Sequence, residues 1–180
     1  MTIIETERLI LRSWKSEDAN AYFKINQDPK VIEFLPGPYS MEYIIDFISR
    51  MNQQEIKQGY TLWAVELKAT GECMGFIGLN YTDWEGSFTP AVEIGWRLGS
   101  QFWGKGYATE GAKAALDYGF NTLGLKEIVS FTVRENKASI RVMEKIGMTR
   151  DFEGDFGHPK LEPNHPLSMH ILYRISPEDK

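Results

Sequence analysis

The residues best suited to chemistry lie together in Gln101-Phe102-Trp103-Gly104-Lys105-Gly106-Tyr107-Ala108-Thr109, between an apolar strand-like run and an alanine-rich helical one. Glycines at such a junction let amide N–H groups and a helix dipole face one point, which is how a backbone holds a phosphate. Gly99-x-x-x-x-Gly104-Lys105 has the spacing of a nucleotide-binding P-loop. However, Gly106 stands where that loop needs Ser or Thr for Mg²⁺, and Phe102 and Trp103 are bulky for a chain wrapping phosphates. Gly104-x-Gly106-x-x-Thr109 lacks the third glycine of a dinucleotide fingerprint, and the next acid, Glu127, stands at the start of a strand rather than at its end. A plain strand-to-helix turn uses the same two glycines.

Acid–base chemistry has fewer candidates. In Val92-Glu93-Ile94-Gly95-Trp96-Arg97-Leu98 the apolar residues Val92, Ile94, Trp96 and Leu98 alternate onto one face, leaving Glu93 with Gly95 and Arg97 on the other. A carboxylate so placed is either a general base or a buried group that organises the sheet. His158 offers a second base in a loop also holding His165, with His170 beyond it. No cysteine stands near them and His170 falls inside a strand, so no metal site is expected. Cys73, the only cysteine, excludes an internal disulfide and reads as a small buried residue. Phe34, Trp84, Asp83 and Glu85 are candidates to line an acceptor entrance, and core packing would use the aromatics equally well.

The elements that must position these groups follow from periodicity and caps. Arg8 to Arg12 reads as a first strand; Ser16 would cap a helix through Asn26, which Pro29 breaks. A short helix is expected over Lys30 to Leu35, and Ser40 caps a long one in which Ile44, Ile48 and Met51 recur at helical spacing. Strands are expected at Tyr60 to Leu67, Met74 to Tyr81, Val92 to Leu98 and Lys126 to Val133. Ala108, Ala112, Ala115, Leu116 and Phe120 form the buried stripe of the helix after the glycines, and Gly124 suits its stop. Asn136 caps a last helix ending near Gly147, followed by strands near Met148 to Phe156 and Leu167 to Ile175. The pattern β-α-α-β-β-β-α-β-α-β-β describes a mixed α/β (α+β) domain over residues 1–180.

Composition narrows the class. With 180 residues, 42% hydrophobic and 25% charged, the chain is globular rather than disordered. A net charge of -5 disfavours a nucleic-acid partner. No apolar run approaches the roughly 18 residues of a membrane helix, and Glu5, Glu7, Arg8 and Arg12 rule out a signal peptide at the start. A cytoplasmic protein with no membrane partner is expected, as a monomer or homodimer. The charge is uneven: residues 1–90 carry eight basic against thirteen acidic side chains, whereas Arg97 to Arg150 carries nine against five. The latter stretch suits an anionic ligand, or two solvated helix faces.

Gln101-x-x-Gly104-x-Gly106-Tyr107-Ala108 resembles the pyrophosphate loop of the GNAT superfamily, the acetyl-CoA-dependent N-acetyltransferases. The resemblance runs in order through Thr6-Glu7-Arg8-Leu9-Ile10-Leu11-Arg12, Asn26-Gln27-Asp28-Pro29, Glu93 to Leu98, Trp103 to Glu110, and Asn136-Lys137-Ala138-Ser139 to Met148. It covers most of residues 6–150 and is nearest to the ribosomal-protein N-terminal acetyltransferases.

That resemblance implies a mixed, mostly antiparallel sheet with a splayed strand pair, flanked by helices. Acetyl-CoA would lie across the gap, with its pyrophosphate on the amides of Gly104, Gly106, Ala108 and Thr109, near Gln101, Lys105 and Tyr107. The backbone of Trp96-Arg97-Leu98 would pair with the pantetheine arm, and an N–H near Arg97 or Leu98 would stabilise the oxyanion. Glu93 becomes the candidate base for direct transfer to a primary amine, a protein N-terminus or a small molecule. The tyrosine that many members use as acid is replaced by Met143, leaving Ser139 to face the thiol or to serve the helix cap. Asn136 would cap that helix and bond the pantetheine amide. The acidic first half favours a cationic acceptor. Use of another acyl-CoA, or a non-catalytic acyl-CoA-binding module, are the alternatives.

Overall fold

The structure, a computed structural model, describes residues 1–179. Strands β1 (Thr2–Glu5) and β2 (Leu9–Arg12) come first, followed by helices α1 (Asp18–Ile25), α2 (Pro29–Ile32) and α3 (Met41–Gln58). Strands β3 (Leu62–Leu67), β4 (Glu72–Thr82) and β5 (Ala91–Leu98) then form a meander leading to α4 (Tyr107–Asp117). The chain continues through β6 (Ile128–Val133), α5 (Lys137–Lys145), β7 (Thr149–Gly157) and β8 (Met169–Ile175). All eight strands join one sheet, ordered β1-β2-β3-β4-β5-β6-β8-β7. Every neighbouring pair is antiparallel except β5 with β6. The expected mixed, mostly antiparallel sheet is therefore the one found.

The sheet carries a core on each face. Trp63, Val65, Ile77, Leu79, Ile94 and Leu116 belong to the larger, under α4 and α5, which buries the Ala112 and Ala115 stripe. Trp14, Tyr22, Ile44, Phe47, Ile48 and Phe76 belong to the other, under α1 and α3. Alternation along β3 produces both, with Trp63 and Val65 turned one way and Ala64 the other.

Several helix boundaries follow from their caps. Ser40 accepts from the Tyr43 N–H and α3 stops at Gly59 in the left-handed region, both favourable end residues. Ser16 does not cap α1: its hydroxyl turns to Glu17, and the helix starts at Asp18, whose carboxylate is committed to Arg12. Pro29 ends nothing by itself, because α1 has already stopped at Ile25; it opens α2, where its missing N–H costs no hydrogen bond. Strand β1 was not expected from the sequence, since Thr2–Glu5 lacks a clean alternation and acquires strand character by pairing with β2.

Candidate active site

The central feature is a fork. β5 and β6 run parallel and register only at Glu93 opposite Val129, after which they part. The hydroxyl of Ser130, a buried side chain, donates to the Ile94 carbonyl at 2.9 Å and spans the point of separation. On its other edge β5 pairs with β4 over its whole length, from Ala91 opposite Thr82 to Leu98 opposite Gly75. The Gly99 N–H continues that ladder to the Met74 carbonyl. Since strand polarity alternates, residues 93, 95 and 97 direct their N–H and C=O at β4, and Ile94, Trp96 and Leu98 direct theirs into the fork. The Leu98 carbonyl is taken by the Trp103 indole N–H at 2.8 Å. Gly75 (φ +123°) makes this approach possible, because a Cβ there would lie 2.0 Å from the Arg97 carbonyl oxygen.

At the open end of the fork lies the glycine turn. Gly104 (φ +73°) and Gly106 (φ +81°) both adopt the left-handed conformation, and the space where a Gly104 side chain would stand is empty. Gly106 is the N-cap of α4, and no side chain caps that end; Glu110 N–H makes the first bond back, to the Gly106 carbonyl. The amides of Tyr107, Ala108 and Thr109 thus belong to an uncapped first turn. A clamp unforeseen from the sequence holds this turn to the connection between β1 and β2. Glu110 accepts from the Thr6 hydroxyl at 2.6 Å, the Arg8 N–H at 2.9 Å and Arg8 Nε at 2.6 Å. Arg8 also donates to the Lys105 carbonyl and lies 4.4 Å from the centre of the Tyr107 ring. Gln101 is exposed beside Gly99, and Lys105 is exposed.

Glu93, Gly95 and Arg97 turn to the α1–α3 face, away from the glycine turn. The Glu93 carboxyl is pushed up to about 7 by burial, against the opposing pull of Asn80 and the Lys160 charge. Its Oε1 is 3.8 Å from the position a Gly95 Cβ would take. Arg97 Nη1 donates to Asn26 Oδ1 at 2.8 Å and to the Tyr22 hydroxyl at 3.3 Å, and its guanidinium lies against Tyr39 and Phe76. Asp28 caps α2 at the Lys30 N–H and accepts from the Ser100 hydroxyl. Asn26 and Asp28 therefore tie the α1–α2 corner to the end of β5, a link with no short-range signature.

Beyond the fork, Asn136 caps α5 as expected: its side-chain oxygen accepts from the Ser139 N–H at 3.2 Å, and its Nδ2 donates to Thr132. Ser139 gives only its amide to that cap; among the described residues its hydroxyl makes no hydrogen bond. Met143, which stands in place of the tyrosine that the resemblance would have supplied, is buried in the core. Trp84, Phe88, Phe131, Phe156, His158 and His170 gather into one ring cluster on the Glu93 side of the sheet. Burial holds the His158 imidazole down to about 4, so it is neutral near pH 7, and its Nδ1 accepts from the Lys160 N–H. Phe34 has no ring contact with this cluster among the described residues, and Asp83 and Glu85 are exposed. No helix among the described residues is long and apolar enough to cross a membrane.

The chain and its fold are similar to known proteins. A family model described as the acetyltransferase (GNAT) domain matches residues 8–149. The uncharacterized N-acetyltransferase p20 of Bacillus licheniformis is 32% identical over 160 residues, covering 85% of this chain and 88% of that protein. The crystal structure of a GNAT-family acetyltransferase from Bacillus anthracis superposes with a TM-score of 0.80 at 31% identity, over 99% of both chains. A ribosomal-protein-S5-alanine acetyltransferase from Vibrio fischeri shares the fold, with a TM-score of 0.74 at 21% identity over 100% of this chain and 99% of that one.

Proposed function

The chain belongs to the acetyltransferase (GNAT) family, and from this we propose that it moves the acetyl group of acetyl-CoA directly to a primary amine, on a protein N-terminus or a small molecule. The observation that carries the reading is the uncapped α4 turn behind Gly104 and Gly106, at the open end of a fork whose β5 edge has no strand paired to it beyond the Glu93–Val129 register. The empty space at Gly104 suits a ligand that touches the backbone, and a pyrophosphate would meet the amides of Gly104, Gly106, Ala108 and Thr109 there. Gln101, Lys105 and Tyr107 border that position.

Acetyl-CoA supplies the activated acyl group, and the chain supplies binding, orientation and proton transfer. The fork-facing N–H and C=O of Trp96 and the N–H of Leu98 would pair with an extended amide arm, as an added strand does. One of those N–H groups would stabilise the carbonyl oxygen as it gains charge. The Arg97 side chain turns to the other face, so that residue would contribute to acetyl-CoA binding only as part of the strand. Glu93, with a carboxyl near neutrality, would accept the proton of the attacking ammonium, directly or through water. Ser139, with its hydroxyl uncommitted, would face the departing sulfur, and Asn136 would hold the helix that presents it. Burial pushes the Cys73 thiol up to about 12, which favours direct transfer over an acetylated cysteine.

Calorimetric titration with acetyl-CoA tests the reading, on the wild type and on a Gly104→Val, Gly106→Val variant whose circular dichroism is native. Binding in the micromolar range that the valines abolish is expected. Absence of binding to the wild type, or binding indifferent to the valines, overturns it.

A further inference from the structure

We propose that Arg97 is a specificity-determining residue for the acceptor, and that the amine it selects carries an anionic group, a carboxylate or a phosphate. The inference deepens the acetyltransferase reading and rests on it.

Arg97 is partly buried on the same strand face as Glu93, yet no carboxylate pairs with it among the described residues. Its partners are neutral: Asn26 Oδ1, the Tyr22 hydroxyl, and the rings of Tyr39 and Phe76 at 5.3 and 5.5 Å. Asp28, two residues from Asn26, and Glu93, on the same strand face, are both engaged elsewhere. Asp28 accepts from Ser100 and Lys30, and Glu93 is associated with Asn80 and the Lys160 charge. A guanidinium has five N–H donors in a fixed fork; Asn26 and Tyr22 both take Nη1 and the Tyr39 side chain also hydrogen-bonds the group, which does not use up the fork. The group is thus held rigid by rings and by Asn26, with donors and a full charge left over.

A charge removed from water is normally paired, and one held ready without a carboxylate suits an anion that arrives with the substrate. Glu93 and Arg97 are four residues apart on one strand, about 13 Å between Cα atoms. The Glu93 carboxyl leans along the strand toward Arg97, its Oε1 3.8 Å from where a Gly95 Cβ would stand, which shortens that span. Glu93 would meet the amine end and Arg97 the anionic end of an acceptor the size of an amino acid or dipeptide, with Gly95 between them adding no side chain above Leu62 and Phe76. This local pairing of signs outweighs the diffuse acidity of residues 1–90, which by itself favours a polycation.

The test uses matched amines that differ only in the anion: glycylglycine against glycylglycinamide, and phosphoethanolamine against ethanolamine. Turnover with acetyl-CoA is followed by thiol release, and binding to the CoA-loaded enzyme by calorimetry. The wild type is expected to favour an anionic member by about tenfold or more in either readout. Arg97→Met should bring that ratio to near unity, and Arg97→Lys should keep part of it. The pair that shows the ratio identifies the anion as carboxylate or phosphate. Equal use and equal binding of both members overturn the inference, as does an Arg97→Met variant that weakens both alike, the signature of a purely structural arginine. Failure of the wild type to bind acetyl-CoA is a different result, and removes the parent reading together with this one.

Discussion

The Ser130 hydroxyl donates to the Ile94 carbonyl across 2.9 Å, at the point where the parallel pair β5 and β6 divides. Both residues are buried, so one short side chain replaces the ladder bond that a continuing β5–β6 pair would have made. The fork is held open without an orphaned carbonyl at its apex.

Ser130→Ala should leave the Ile94 carbonyl without its donor, costing about 1–3 kcal/mol in urea denaturation. Acetyl-CoA binding should weaken as well, because the gap would lose its fixed width. A variant as stable as the wild type, with unchanged acetyl-CoA affinity, would show that the hydroxyl does not set the fork.

Glu93→Gln should lower kcat by about 10²- to 10⁴-fold if the carboxylate is the base. The wild-type rate should rise with pH through about 7, as Glu93 loses its proton, and that limb should vanish in the variant. Stability moves the opposite way. Burial raises this carboxyl from 4.5, so between about pH 4.5 and 7 the folded chain holds the extra proton and stability falls as pH rises. Glu93→Gln should therefore be the more stable protein at pH 8; a flat comparison would place the carboxyl in water.

The Glu110 clamp should matter for both folding and ligand. Glu110→Ala removes three hydrogen bonds that join the first turn of α4 to Thr6 and Arg8. Arg8 is partly exposed, so the loss should be about 1–2 kcal/mol rather than more. Calorimetry should also show weaker acetyl-CoA binding, with native affinity as the contrary result.

Asp18 lies in a buried pair with Arg12, at 2.7 Å, and Arg12 reaches Glu66 as well. Asp18→Ala should cost about 3–5 kcal/mol, since it leaves a guanidinium buried beside one carboxylate. Burial alone would raise the Asp18 carboxyl, but Arg12 and the Lys15 amide hold it below its ordinary 3.8. The stabilisation is present above that value and lost as acid titrates the folded group. An acid-unfolding midpoint that is the same in wild type and variant would contradict this.

What the sequence alone determined is what short-range physics controls. Ser40 and Asn136 cap their helices because an N-cap needs only an oxygen within three residues of the amide it serves. The alternation of Val92, Ile94, Trp96 and Leu98 predicted which face Glu93 shares with Arg97, and the glycines predicted a turn that only left-handed residues make easily. Only the tertiary structure decided that β5 and β6 meet at a single register pair, that β8 lies between β6 and β7, and that β1 is a strand at all. The same holds for Ser130 with Ile94, Glu110 with Arg8, Ser100 with Asp28, and Arg97 with Asn26, pairs separated by 36 to 102 residues. Such contacts are set by how two faces of one sheet are covered, and nothing in the local chemistry of either partner encodes the other.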